Sequence, residues 1–368
     1  MLQAAPGEID RAARLLRAGR LVAFPTETVY GLGANAFDAE AVARIYAVKG
    51  RPRTSPLIIH VASIEMAKSL VANWPEAAGR LAQRFWPGPL TMVLTKSHAG
   101  AEAFLQPRAE GGPAPAERNS ATFPSSTVSA MTIPAIATAG LATVALRMPA
   151  HPIALALIRA AGVPLAAPSA NRFTELSPTT AEHVRRSLGP EVDFILDGGP
   201  CQVGIESTVL SLVESEWTES GPNKPNPVLL RPGGISRTKL EALVGPITSA
   251  QEVQSGAHPA PGMHPRHYSP RTPLFLAANG KLPDQGQGQE KGEGAKGQGI
   301  YLQHQHLPSR ADVAIRAMPQ SAVEYAAVLY ETLHQADNGN YDWIAVDLPP
   351  ATPEWEAIQD RLKRAANK

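Results

Sequence analysis

The chain of 368 residues contains a single cysteine, Cys201. A lone thiol excludes an intramolecular disulfide and any cysteine-built zinc site, and it suits a reducing compartment. There is no surplus of charge either: 34 Lys and Arg against 33 Asp and Glu leave a formal +1. Such a balance excludes a nucleic-acid coat or a polyacidic binder, so any basic site has to be local. No stretch reaches the ~18 uninterrupted apolar residues of a membrane span, and residues 1–10 carry acids where a secretory leader has an apolar run. The expectation is a cytoplasmic protein without membrane contact. Also missing are the Gly-x-x-x-x-Gly-Lys-Ser/Thr run of P-loop proteins and the Gly-x-Ser-x-Gly elbow of serine hydrolases. Ser236 and Lys239 form a Ser-x-x-Lys without the Lys-Thr-Gly that accompanies it in penicillin-type enzymes.

What is present is enough apolar residue, 43%, for a sizeable core, in a length that suggests two or three domains at roughly 150 residues each. Helical spacing over residues 8–18 ends at Gly19, and a strand follows over 21–24. Asp38 caps a second helix that Gly50 stops, leaving Lys49 in its last turn. Apolar runs at 56–61, 90–94, 142–146, 163–167, 193–196, 208–213 and 228–230 then alternate with helical patterns at 63–72, 76–85, 152–161 and 180–188. Such alternation predicts an α/β sheet with some parallel pairing. Residues 273–368 repeat the theme as β, β, α, β, α, a small second α/β domain, and the proline-rich residues 246–272 join the two as a linker. Two stretches break the pattern: a surface insertion at about 99–131, and a Gly/Gln-rich segment at about 279–299 that is too polar to order itself.

The densest polar cluster, Pro25-Thr-Glu-Thr-Val-Tyr-Gly-Leu-Gly33, follows the first strand, where open α/β sheets place ligands. Gly31, Gly33 and Ala36 fit G-x-G-x-x-A, but they come six residues after the strand, and no acid lies between 41 and 64 to hold a ribose. A dinucleotide site is therefore disfavoured. Lys49, Arg51 and Arg53 suit a polyphosphate, since arginine forks onto phosphate oxygens and lysine adds a point charge. A solvated basic helix end is the plainer account of the same residues. Arg147, Arg231 and Ser169 with Asn171 also follow apolar runs, so several strands end in anion-binding or hydrogen-bonding side chains that can meet on one floor. His264, His267, His304 and His306 lack the partners of a metal site and are expected to be exposed loop histidines. Cys201 is taken as incidental.

These segments, together with Lys49-Gly-Arg-Pro52, Pro56-Leu-Ile-Ile-His60, Trp86-Pro-Gly-Pro-Leu-Thr91, Arg147-Met-Pro149, Ala167-Pro-Ser-Ala-Asn171, Gly204-Ile-Glu-Ser-Thr-Val209 and Arg231-Pro-Gly233, resemble the YrdC-like family. The segment Pro261-Gly-Met-His-Pro-Arg-His-Tyr-Ser-Pro270 and the second domain are similar to its long, two-domain form. The resemblance implies a YrdC-like twisted open sheet with flanking helices over residues 1–245, and a smaller Rossmann-like α/β domain over 273–368. It also implies a nucleotidyltransferase that makes L-threonylcarbamoyladenylate and pyrophosphate from L-threonine, bicarbonate or CO2, and ATP, with Mg2+ accompanying the nucleotide and no metal held by protein side chains. A partner transferase then carries the threonylcarbamoyl group to the tRNA adenosine beside the anticodon.

By the same resemblance, Lys49, Arg51, Ser169 and Asn171 are catalytic. Arg51, Ser55, Thr143, Ser169, Ser177, Arg231 and Tyr268 contact ATP, with Tyr268 closing over the ligand as part of a lid. Thr28, His60, Arg147, Ala167 and Ser207 hold threonine, with Arg147 on its carboxylate. The alternative is a YrdC-like RNA-binding module in which Arg44, Lys49, Arg51, Arg53 and Arg84 form a basic concavity for tRNA or double-stranded RNA. Near-zero net charge and the lack of interleaved aromatics argue against tight binding of that kind.

Overall fold

A computed structural model of the chain describes residues 6–97, 131–213, 226–250, 267–282 and 297–366. The expected insertion, apart from Met131, lies outside the described residues, as do 251–266 of the linker and 283–296 of the Gly/Gln-rich stretch. His264 is outside them too.

Helix α1 (Pro6–Arg17) buries Ala12, Ala13 and Leu16 and leads into strand β1 (Val22–Phe24). Gly31 and Gly33, in the polar cluster that follows the first strand, belong to a further strand, β2 (Gly31–Asn35), antiparallel to β1 with Val22 opposite Gly33. The reason is steric: a Cβ on Gly33 would stand 2.8 Å from Cε1 of Phe24, so glycine makes room for that ring. The glycines serve sheet packing, as glycine within a strand often does, and the dinucleotide reading goes with them.

Helix α2 (Ala39–Lys49) begins at Asp38, whose carboxylate accepts the N–H groups of Glu40 and Ala41, and ends at Gly50 with φ 62°. Both ends are where the capping residues place them. The chain continues through β3 (Ile58–His60), α3 (Ile64–Ser69), α4 (Glu76–Phe85), β4 (Leu90–Thr95) and β5 (Thr143–Arg147). Then follow α5 (Pro152–Ala161), β6 (Leu165–Ala166), α6 (Ala181–Leu188), β7 (Phe194–Ile195), β8 (Thr208–Ser211), β9 (Val228–Arg231), α7 (Arg237–Val244) and β10 (Thr248–Ser249). The strands form one mixed sheet of ten, in the order β10-β9-β8-β4-β5-β3-β6-β2-β1-β7. Helix α7 and strand β10 carry no strong periodic signal. Strand β10 falls within the stretch read as linker and pairs in parallel with β9.

The second domain contains β11 (Leu274–Ala277), β12 (Gly299–Gln303), β13 (Ala314–Ala317), α8 (Ala322–Asp337), β14 (Trp343–Asp347) and α9 (Glu356–Ala366). Its sheet is wholly parallel, in the order β11-β14-β12-β13. The unforeseen strand β13 lies at an edge and is largely exposed, which removes the apolar signature. Apolar packing does not stop at the domain boundary. Tyr325, Leu329, Tyr330 and Ile358 share a core with Val29, Leu176 and Ile205 of the first domain. Gly204, at φ 76°, lies so close to α8 that a Cβ there would stand 2.3 Å from the Ala326 carbonyl oxygen. The two domains therefore touch backbone to backbone at this point.

Candidate active site

Strand register assembles the site. Parallel pairing of β3 and β5 puts His60 beside Arg147. Antiparallel pairing of β8 and β9 puts Arg231 opposite Val209, beside the segment Glu206-Ser207 that enters β8. Gly31 bridges to Ser169 beyond β6. A small hollow results, with about 50 Å³ of room, lined by Thr28, Arg51, His60, Arg147, Ala167, Ser169, Ser207, Arg231 and Tyr268 among others.

Five further expected residues do not line this hollow. Lys49 stands behind its wall, where Nζ donates to the carbonyl of Ser169 at 2.6 Å and also to that of Asn171. Asn171 donates Nδ2 to the carbonyls of Arg172 and Glu175, while its buried Oδ1 has no partner. Ser55 offers its carbonyl to Arg51 Nε at 3.4 Å. Ser177 donates its hydroxyl to Glu206 Oε1 at 2.5 Å. Thr143 begins β5, four residues from Arg147 and so ~13 Å away at the usual strand rise.

The buried cations are held by oxygen. Arg51 Nη2 donates to the Pro56 carbonyl at 3.1 Å, and burial lowers its pKa to about 10. Arg231 reaches the Ser207 carbonyl through Nε and Nη2 at 3.1 and 2.9 Å, and Ser207 Oγ at 3.1 Å. Burial, reinforced by Arg51, holds the Lys49 ammonium well below its usual pKa. Burial and the neighbouring Arg147 push His60 down to about 3, so its imidazole is neutral. The Thr28 hydroxyl lies 2.9 Å from that of Thr26.

Two observations correct the sequence reading. His267 and His304, expected on exposed loops, are buried. His267 lines the pocket beside Tyr268, its protonation opposed by burial and then by Arg51 and Lys49, and His304 packs against Tyr325 and Trp355. Aromatic neighbours account for both, Phe173 as well as Tyr268 lying against His267. The basic set proposed for RNA does not form one open surface either. Lys49 and Arg51 face inward, while Arg44 is held by Asp193 at 3.0 Å and by the Gly19 carbonyl at 2.9 Å. Cys201 is buried, and burial raises its thiol pKa, as suits an inert side chain.

Sequence reasoning assigned no role to Glu27, Glu206, Tyr330 or Arg361, all of which are buried at or next to the pocket. Glu27 and Glu206 stand inside the quoted motifs, so proximity to the other site residues was the available signal. Arg361 lies in an ordinary charged helix and carries none.

A buried hollow whose walls are arginine, lysine-braced backbone, hydroxyls and two neutral imidazoles, set at the strand ends of a large mixed sheet, defines an α/β enzyme built for an anionic ligand. Residues 14–112 and 119–233 match the family described as "Telomere recombination", and 235–367 match "Threonylcarbamoyl-AMP synthase, C-terminal domain". The chain belongs to the two-domain threonylcarbamoyl-AMP synthases. It is 40% identical to the threonylcarbamoyl-AMP synthase of Bacillus subtilis, an alignment covering 98% of this chain and 93% of that one. It is 34% identical to the synthase of Schizosaccharomyces pombe over 98% of this chain and 88% of that one. A solved structure of Pyrococcus abyssi Sua5 complexed with L-threonine superposes with a TM-score of 0.77 at 34% identity, covering 99% of this chain and 96% of that one. No helix among the described residues is long and apolar enough to cross a membrane.

Proposed function

We propose that this pocket joins L-threonine, bicarbonate or CO2, and ATP into L-threonylcarbamoyladenylate with release of pyrophosphate. The observation that carries the reading is the meeting of Arg51, Ser169 and Arg231 with Thr28, His60 and Arg147 around one buried hollow. The first group supplies cations and a hydroxyl for a triphosphate; the second supplies a hydroxyl, a neutral imidazole and a guanidinium for a small hydroxylated amino acid. The P. abyssi protein binds L-threonine, as its structure is described, and the sequence match extends that chemistry here.

Chemically, the threonine amine adds to CO2 with loss of a proton, or to bicarbonate with loss of water, and a carbamate results. A carbamate oxygen then attacks the α-phosphorus, and the bond from that phosphorus to the bridging oxygen breaks to free pyrophosphate. The attacking carbamate and the triphosphate are both anionic, so alignment and charge neutralisation do most of the work. Lys49 contributes by holding the Ser169 and Asn171 carbonyls in place, which turns the loop carrying Ser169 toward the pocket. Ser55, Thr143, Ser177 and Asn171 extend the proposed nucleotide site beyond the hollow.

The hollow is far smaller than the several hundred Å³ of a ligand pocket. Tyr268 fills one side of it, buried and at φ 62°, so admitting a nucleotide requires Tyr268 to swing aside and return. Closure would keep water from a labile adenylate. Among the described residues no three carboxylates, histidines or cysteines gather, and both pocket glutamates are paired with arginine. A Mg2+ ion would therefore be held by phosphate and water, neutralising charge on the nucleotide. The product is a mixed anhydride suited to a partner transferase acting on tRNA.

The test is to incubate the purified protein with ATP, bicarbonate and labelled threonine. Pyrophosphate release that depends on all three is expected. Release with many amino acids but not threonine would remove the assignment while leaving adenylation standing.

A further inference from the structure

One side chain of the second domain reaches three separate segments of the pocket. Arg361, on α9 and 1% exposed, donates Nε to Glu206 Oε2 at 2.7 Å. Its Nη2 donates to the Pro232 carbonyl at 3.0 Å, one residue beyond Arg231. Its guanidinium carbon lies 5.1 Å from the centre of the Tyr268 ring. The third arm is aimed from behind: Nη1 donates to Asp360 Oδ2 at 2.7 Å. Glu206 is in turn clamped by the Ser177 hydroxyl at 2.5 Å and by the Tyr330 hydroxyl, from α8, at 3.1 Å.

We propose that Arg361 is a positioning residue for the nucleotide half of the site, through which the second domain sets Glu206, Arg231 and the closing Tyr268 in their working places. The inference rests on the reading given above. A planar five-donor fork can fix several groups at once, which a lysine point charge cannot. Stacking on Tyr268 adds a contact that holds that ring at the pocket. The α8–α9 pair thus favours Tyr268 in this place. The threonine half is held differently. Of the threonine half only Ser207, which Arg231 binds, is tied to this network; Glu27 pairs with Arg147, and the described contacts of Thr28 and His60 do not include Arg361 or its direct partners. The effect of losing Arg361 should therefore be lopsided.

The full-length protein and its Arg361→Lys variant are titrated by calorimetry with ATP and, separately, with L-threonine, with circular dichroism confirming the fold. Expected is an ATP dissociation constant raised about tenfold or more, with threonine affinity changed less than about threefold. A merely structural role would cut the binding-competent fraction for both ligands alike. Equal losses, or no loss, overturn the proposal. Asp360→Asn, which loosens the aim of the fork without touching a pocket wall, gives the same lopsided pattern in weaker form and serves if the lysine variant does not fold. Failure of the unaltered protein to bind either ligand would overturn the functional reading and this one with it, whereas normal binding by the unaltered protein and an unaffected variant overturns this one alone.

Discussion

Arg147 Nη2 lies 2.9 Å from Glu27 Oε1, and both side chains are buried. The other oxygen of Glu27 accepts the Ala150 N–H at 3.0 Å. The guanidinium that sequence reasoning reserved for the threonine carboxylate is thus already half engaged, and Glu27 decides which edge of its fork faces the pocket. Glu27→Gln leaves a buried cation short of its partner, a change that typically costs about 3–5 kcal/mol. Its KM for threonine should rise about tenfold or more while KM for ATP holds. Steady-state pyrophosphate release with each substrate varied in turn measures this; equal shifts would show that Glu27 acts only on stability.

Lys49→Met keeps the length of the chain and deletes its charge. Both carbonyls that Lys49 binds, those of Ser169 and Asn171, then lose a donor, at about 1–3 kcal/mol of stability for a buried group left unsatisfied. The loop presenting Ser169 loosens, and kcat/KM should fall by about two orders of magnitude or more, the scale of a lost charge-stabilising contact. Urea unfolding and initial-rate assays read the two effects. Lys49→Arg should not rescue activity, because a planar fork does not fit the same two acceptors as an ammonium.

Gly233 sits under the pocket wall, where a Cβ would lie 2.2 Å from the Thr208 nitrogen and 2.6 Å from the Glu206 carbonyl oxygen. No side-chain rotation relieves a clash with backbone. Gly233→Ala should displace the Glu206–Thr208 segment, destabilise the protein by about 1–3 kcal/mol and weaken ATP binding. Gly204→Ala meets the α8 backbone instead, so it should mainly separate the domains and raise proteolytic sensitivity at the linker. Limited proteolysis and thermal melting distinguish the two variants.

His183 and His334 stack across the domain boundary with ring centres 3.7 Å apart. Burial, and then Arg186, pushes His183 down to about 4; burial, and then His183, does the same to His334. Glu182 opposes the first shift, and the Ser177 carbonyl, Glu331 and Asp337 oppose the second, without reversing them. With folded-state values below the ordinary 6.5, the unfolded chain binds more protons between about 4 and 6.5. Stability is therefore full above that window and is lost as pH falls through it. Urea midpoints at pH 7.5 and 5.5 should show the drop, and His183→Gln should make it shallower. Buried His60 contributes in the same direction, so some slope should persist.

How much of this was legible varied with range. The Asp38 cap and the Gly50 stop are local hydrogen-bond and dihedral preferences, and the structure has them where the sequence put them. Helices α4 and α5 coincide with their periodic patterns. Strand β2 was missed because glycine in a strand has no propensity signal; the reason for glycine there is the ring of Phe24, nine residues before Gly33. The buried histidines were misread for a related reason, since burial belongs to neighbours the local pattern does not name.

Local chemistry, in short spans of the amino-acid order, determined the alternating elements, the helix limits, the anion-suited tips of the strands and membership of the family. Pairing between distant segments decided the rest: which tips share a hollow, that Glu27 holds Arg147, that Lys49 braces a wall, and that Arg361 reaches across from the far end of the chain. Ion pairs between residues 120 to 155 positions apart depend on strand order and domain docking, and these are fixed only when the two apolar cores close together.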